Sequence, residues 1–205
     1  MPATSLSMEP LDWKKVLAEM EYQASKPKYA PRFYWRGDQG QEEHFVMRDF
    51  LTALKANGEL NFSKVRPFRP DPPDFIADAT DGTTIAFELR EFVSQEARRR
   101  TTEGERVMAR WNDEQFFHSI DNIIREKDEK TFNGGPYSRI ILLVPTDEYN
   151  ITPDMVERVF SARQFDKPRN ITEGFLMMDA VITRLPQPGV PIEPEVCPIF
   201  KMQFH

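Results

Sequence analysis

One cysteine, three histidines and nine glycines are what this chain of 205 residues has little of, and each scarcity closes a class of chemistry. A lone Cys197 supports neither a disulfide framework nor a Cys-based zinc site, and it fits a reducing compartment, so a cytoplasmic protein is expected. His44, His118 and His205 are too scattered for HExxH or HxH metal pairs. Dinucleotide, P-loop and serine-elbow chemistries lack their glycine signatures, since GxGxxG, GxxxxGK[ST] and GxSxG are all missing. No apolar run approaches the ~18 residues that span a bilayer. The opening MPATSLSMEP has no basic-then-apolar signal pattern, so no membrane association is expected. Repeats and low-complexity segments are also lacking.

What is present is a foldable, acidic chain. An apolar fraction of 40% with 16 Phe is enough for a core, and the length suits one domain with an elaboration. The 33 Asp and Glu outnumber 27 Lys and Arg, giving a net charge of -6. Carboxylates are therefore the remaining source of chemistry. The same balance gives no global attraction for phosphate backbones, so any nucleic-acid contact needs a local basic patch.

Hydrophobic periodicity organises the chain. Asp12 caps a short helix whose apolar positions Trp13, Val16, Leu17 and Met20 share a face, and Pro27 and Pro31 end it. An aromatic-basic segment runs from Arg32 to Arg36. A second helix is expected from near Gln41 to Asn57-Gly58, with Met47, Phe50, Leu51 and Leu54 as its stripe and Glu43 aligned with it. Leu60 to Phe68 reads as a strand. Phe75–Ala79 and Thr84–Phe92 read as two strands of a hairpin turned at Asp81-Gly82. Residues 94–110 are charged, mixed in sign and not assignable by pattern. A helix over 112–130 carries Phe116, Phe117, Ile120, Ile123 and Ile124, and Gly134-Gly135-Pro136 stops the chain after it. Ile140–Val144, apolar on both faces, reads as a central strand. A helix opens at Thr152-Pro153, and strands are expected at Phe175–Met178, Val181–Thr183 and Ile199–Phe204. The expectation is an α/β fold with an αβββαβ core: an N-terminal helical extension over 1–40, the core over 41–150, and a C-terminal helix and strands over 151–205 completing the same domain.

That order gathers certain side chains. Asp74 follows Pro73 at the start of one hairpin strand, while Glu88 and Arg90 leave the same face of the other. Glu43 projects from the preceding helix. Carboxylates collected at one end of a sheet repel one another unless a cation sits among them, and a hard ion such as Mg²⁺ or Mn²⁺ prefers such oxygen ligands. Arg98-Arg99-Arg100, with Arg106 and Arg110, is the local basic patch available to nucleic acid, although Glu91, Glu96, Glu103 and Glu105 interleave with it.

Pro73-Asp74-Phe75 followed by Phe87-Glu88-Leu89-Arg90, in this element order, resembles the PD-(D/E)xK, restriction-endonuclease-like nuclease superfamily, over about 40–145. The resemblance is nearest to small bacterial branches of that superfamily. It implies a mixed central sheet flanked by helices, Asp74 and Glu88 as ligands of Mg²⁺ or Mn²⁺ with Glu43 supporting, and hydrolysis of DNA or RNA. The chain departs from the family where Arg90 stands in place of the usual lysine. Arginine keeps its proton, so Arg90 serves only as a phosphate donor. The second candidate for that motif position is Lys127, one turn beyond the helix stripe, with Lys130 behind it. The alternative is a catalytically inactive module of the same fold, used for protein interaction or nucleic-acid binding, in which a homo-oligomer is one expected form.

Overall fold

The computed structural model describes residues 39–105, 107–179 and 196–205. The expected N-terminal helix, the Arg32–Arg36 segment, Arg106 and the expected strand at Val181–Thr183 lie outside the described residues.

The first described helix, α1 (Gln39–Ala56), forms because Val46, Met47, Phe50, Leu51 and Leu54 fall on one face and are buried together. Its end has a local cause. Gly58 takes a φ of +71°, and the Gly58 and Glu59 amides donate back to Lys55 O and Leu54 O at 3.2 and 2.9 Å. This is the Schellman arrangement that glycine permits. Strands β1 (Phe62–Pro67), β2 (Phe75–Ala79) and β3 (Thr84–Leu89) follow as an antiparallel meander. The β2–β3 turn closes through Gly82 at φ +84° and the Asp81 side chain, which accepts from the Thr83 amide at 2.9 Å.

Two helices then precede the next strand. α2 (Gln95–Thr102) occupies the segment that pattern alone does not assign, and α3 (Asp113–Asp128) starts on an Asn112–Gln115 capping box. The crossover returns the chain parallel to β3 as β4 (Arg139–Thr146). Helix α4 (Pro153–Ala162) starts at Thr152, whose hydroxyl accepts from the Met155 amide, and leads to β5 (Glu173–Met178), parallel to β4. Antiparallel β6 (Ile199–Lys201) closes the sheet. β6 is shorter than the expected 199–204, because beyond it Phe204 bridges Phe165 instead of pairing with β5.

The result is α/β: one mixed sheet in the order β1-β2-β3-β4-β5-β6 with helices on both faces. Strand β4 shows why it is central. Ile141 and Leu143 join Phe50, Phe75, Ile85 and Phe87 in the core under α1, while Leu142 and Val144 join Phe116, Ile120, Val156 and Phe160 in the core under α3 and α4. Strands β5 and β6 thus join the same sheet as the expected core. No helix among the described residues is long and apolar enough to cross a membrane.

Candidate metal centre

Strand register builds the site. Phe75 pairs with Phe87, and the Asp74 amide continues the ladder by donating to Phe87 O at 3.0 Å, which sets Asp74 opposite Glu88. Side chains opposite one another on paired strands leave the same face. Phe75, Ile85 and Phe87 point to α1, so Glu88 turns the other way, toward α3. There the last turn of α3 presents Lys127, whose stem continues the buried stripe of Ile120 and Ile124. Lys127 Nζ lies 2.5 Å from Glu88 Oε1. Lys130, just past the helix end, reaches the same oxygen at 3.2 Å.

A third carboxylate arrives from the proline-rich loop between β1 and β2. The Phe68 amide donates to Asp74 O at 2.9 Å and closes that loop across its base. Asp71 lies within it, and one carboxylate oxygen from each of Asp71, Asp74 and Glu88 lies within 4.8 Å of the others. The loop after α3 fixes this arrangement from the other side. The Asn133 amide donates to Pro72 O at 2.9 Å. Gly134, at φ +78°, packs where a Cβ would stand 2.5 Å from the Phe68 ring. Lys130 and Asp71 are therefore carried by two loops tied to each other.

The electrostatics of the three acids differ. Burial pushes the Asp74 carboxyl up to about 7, helped by the Glu88 charge. The Leu89 amide on Asp74 Oδ2, at 2.7 Å, opposes the rise, Glu43 adds to it, and Lys127 opposes it. Glu88 has no exposed surface, and its Oε2 is buried with no hydrogen-bond partner. Such an atom is costly to leave unpaired. One oxygen of Glu88 thus carries two ammonium groups and the other carries nothing. Asp71 is exposed. For Lys130, burial works against the charge, but the neighbouring Glu88 carboxylate outweighs it and raises the pKa above the ordinary lysine value.

Protein-family models, curated proteins and solved structures give no match to this chain.

The structure brings together Asp74, Glu88, Lys127 and Lys130 from the sequence-derived set. Glu43 sits half-buried on α1, in the layer across the sheet from Glu88, and reaches Asp74 through its charge rather than within the group of three. Arg90 follows β3 with half its side chain exposed and lies 3.9 Å from Glu126 of α3. It stands on the expected side of the sheet but at the helix surface. The run Arg98-Arg99-Arg100 lies on α2 and is matched by neighbouring acids. Arg98 pairs with Glu91 at 2.6 Å, Arg99 with Glu96 and Glu103 at 2.9 and 2.8 Å, and Arg100 with Glu105 at 2.6 Å.

Asp71 is the residue that sequence reasoning missed. Its signal was present in Pro70-Asp71-Pro72-Pro73-Asp74, where two acids three apart are held by prolines in one short loop. A separate cavity of about 510 Å³, lined among others by Ser94, Trp111 and His118, opens beside the N-terminal half of α3. Lys127 is nine residues further along, roughly 14 Å at helical rise, so that cavity and the acids occupy different ends of the helix.

The donor set fits a divalent cation. Asp74 keeps Oδ1 clear of the Leu89 amide, Glu88 keeps an orphaned Oε2, and Asp71 adds an exposed carboxylate. All are hard oxygen donors, the set that Mg²⁺ and Mn²⁺ prefer over softer ions.

Proposed function

We propose that this chain is a metal-dependent phosphodiester hydrolase of the PD-(D/E)xK type, acting on DNA or RNA. The observation that carries the reading is the convergence of Asp71, Asp74 and Glu88, whose carboxylate oxygens lie within 4.8 Å of one another, where Glu88 is buried with one oxygen unpartnered and the other held by Lys127. Asp71, Asp74 and Glu88 would hold Mg²⁺ or Mn²⁺. The bound ion supplies an acidified water and neutralises charge growing on the scissile phosphate. The chain's own groups do the rest. Lys127 fixes the Glu88 carboxylate through Oε1 and leaves the buried Oε2 without a hydrogen-bond partner. The Leu89 amide orients Asp74 in the same way through Oδ2. In the family motif a lysine follows the second acid on the strand; here a helix lysine brings an ammonium to that acid instead. The lone Cys197 supports a reducing, cytoplasmic setting for this activity.

A second reading has an observation of its own. Arg90 stands at the lysine position of the motif and faces Glu126. That favours a nuclease-like module without catalysis, binding protein or nucleic acid, as an oligomer in one form. One assay separates the two. Plasmid DNA, single-stranded DNA and RNA are incubated with the protein in Mg²⁺, in Mn²⁺ and in EDTA. The hydrolase reading expects metal-dependent cleavage of at least one substrate, lowered by at least ~100-fold in Asp74→Asn and Glu88→Gln, which remove ligands outright. Cleavage equal in wild type and both variants would contradict it.

A further inference from the structure

We infer that Lys130 is the phosphate anchor of this site and that it lets go of Glu88 when a divalent cation binds. The inference rests on the hydrolase reading above.

The two ammonium groups on Glu88 Oε1 are not equivalent. Lys127 lies 2.5 Å away with a side chain 11% exposed, enclosed along the buried face of α3. Lys130 lies 3.2 Å away with a side chain 40% exposed, beyond the last helical residue. Three carboxylates against two ammonium groups leave the cluster one negative charge when all are ionised. With a divalent cation present the cluster carries one positive charge instead, and each ammonium then faces a remainder of no net charge where it had faced a net negative one, so its attraction to the cluster is lost. Lys127 cannot retreat without burying its charge elsewhere. Lys130 reaches water by changing rotamer. It is the group that gives way.

A released Lys130 is a point charge with three donors on a flexible stem at the mouth of the site. One phosphodiester monoanion returns the cluster to neutrality, and a charge-assisted bond from Lys130 Nζ to a phosphate oxygen holds it there. The other described cations that sequence singles out are placed differently. Arg90 faces Glu126, Arg98, Arg99 and Arg100 face acids on or beside their own helix, and Arg110 lines the separate cavity at the other end of α3. Lys130 is thus both a counter-ion to Glu88 and the means of selecting a monoanionic phosphodiester once the cation is bound.

The test uses full-length protein stripped with EDTA. Manganese binding is measured by calorimetry for wild type and Lys130→Gln, and capture of a fluorescein-labelled single-stranded oligodeoxynucleotide is measured by anisotropy in Mn²⁺. Removing the competing ammonium should tighten Mn²⁺ binding by about two- to fivefold, the scale of a partly exposed ion pair. It should weaken oligonucleotide capture by roughly tenfold, the scale of one charge-assisted hydrogen bond. A merely structural role for Lys130 would weaken Mn²⁺ binding, not tighten it. Wild type that binds Mn²⁺ with Lys130→Gln equal or weaker overturns the role of Lys130 and leaves the metal centre standing. Tighter Mn²⁺ with unchanged oligonucleotide capture also overturns it. Wild type without Mn²⁺ binding overturns this inference and the hydrolase reading together.

Discussion

Two charged regions of this molecule contain arginines or lysines beside acids, and they are built on opposite principles. On α2, Arg99 and Arg100 are exposed and pair with Glu96, Glu103 and Glu105, residues three to five positions away. Each charge is met locally and remains in water, where such pairs contribute little and are screened by salt. At the end of α3, Lys127 meets Glu88 across 39 residues of sequence, both largely out of solvent, and Glu88 keeps one oxygen unpaired. The first region looks functional in the sequence because its charges are consecutive. The second is where chemistry is possible, because its charges are buried, few and incompletely matched.

The largest effect that would break this contrast comes from separating the buried pair. Lys127→Met leaves Glu88 buried without its main partner, and loss of one member of such a pair costs about 3–5 kcal/mol. Urea denaturation should show this as a lowered midpoint. Adding Glu88→Leu to Lys127→Met should recover most of the stability, since two apolar side chains replace the ions, while Mn²⁺ binding stays absent. A double variant as unstable as the single one would mean that packing, not charge, holds that end of the sheet together.

The next effect sharpens the comparison through pH. Asp74 is raised from 3.8 to about 7 in the fold, first by burial and then by Glu88. The folded protein therefore binds this proton more tightly than the unfolded chain. The resulting stabilisation is complete below about pH 4 and is lost as pH rises through about 7. In EDTA, wild type should lose stability between pH 5 and pH 8 relative to Asp74→Asn, by up to about 3 kcal/mol. A constant difference between the two proteins across that window would remove the electrostatic account of Asp74.

Much of the fold was legible because periodicity writes it directly. The stripes of α1 and α3, the Asp81-Gly82 turn and the doubly apolar β4 follow from residue spacing alone. Helix α2 was not legible. It buries only Ala97 and Thr101, two small residues one turn apart, and its remaining sign is Ser94 capping the Ala97 amide. A hydrophobic pattern cannot reveal a helix with so little apolar surface. For the site, strand alternation put Glu88 and Arg90 on one face, Asp74 stood at the start of the paired strand, and the helix stripe pointed to Lys127. Asp71 was hidden because its position depends on how a proline-rich loop closes on Phe68 and Asn133, a tertiary matter. Glu43 aligned well with the α1 stripe, but that stripe faces the other layer of the sheet.

The smallest expected effect falls on the other side of the comparison. Arg99→Gln and Arg100→Gln each remove one exposed, locally paired charge, and neither should move the urea midpoint or oligonucleotide capture at physiological salt. A marked loss of capture in either variant would make α2 a nucleic-acid surface after all.

The most direct measurement is a calorimetric Mn²⁺ titration of wild type and Glu88→Gln at pH 7.5. One saturable site is expected in wild type and is lost in Glu88→Gln, because Glu88 is the fully buried member of the donor set and has an oxygen without a partner. Absence of binding in wild type, or equal binding in both proteins, would contradict it.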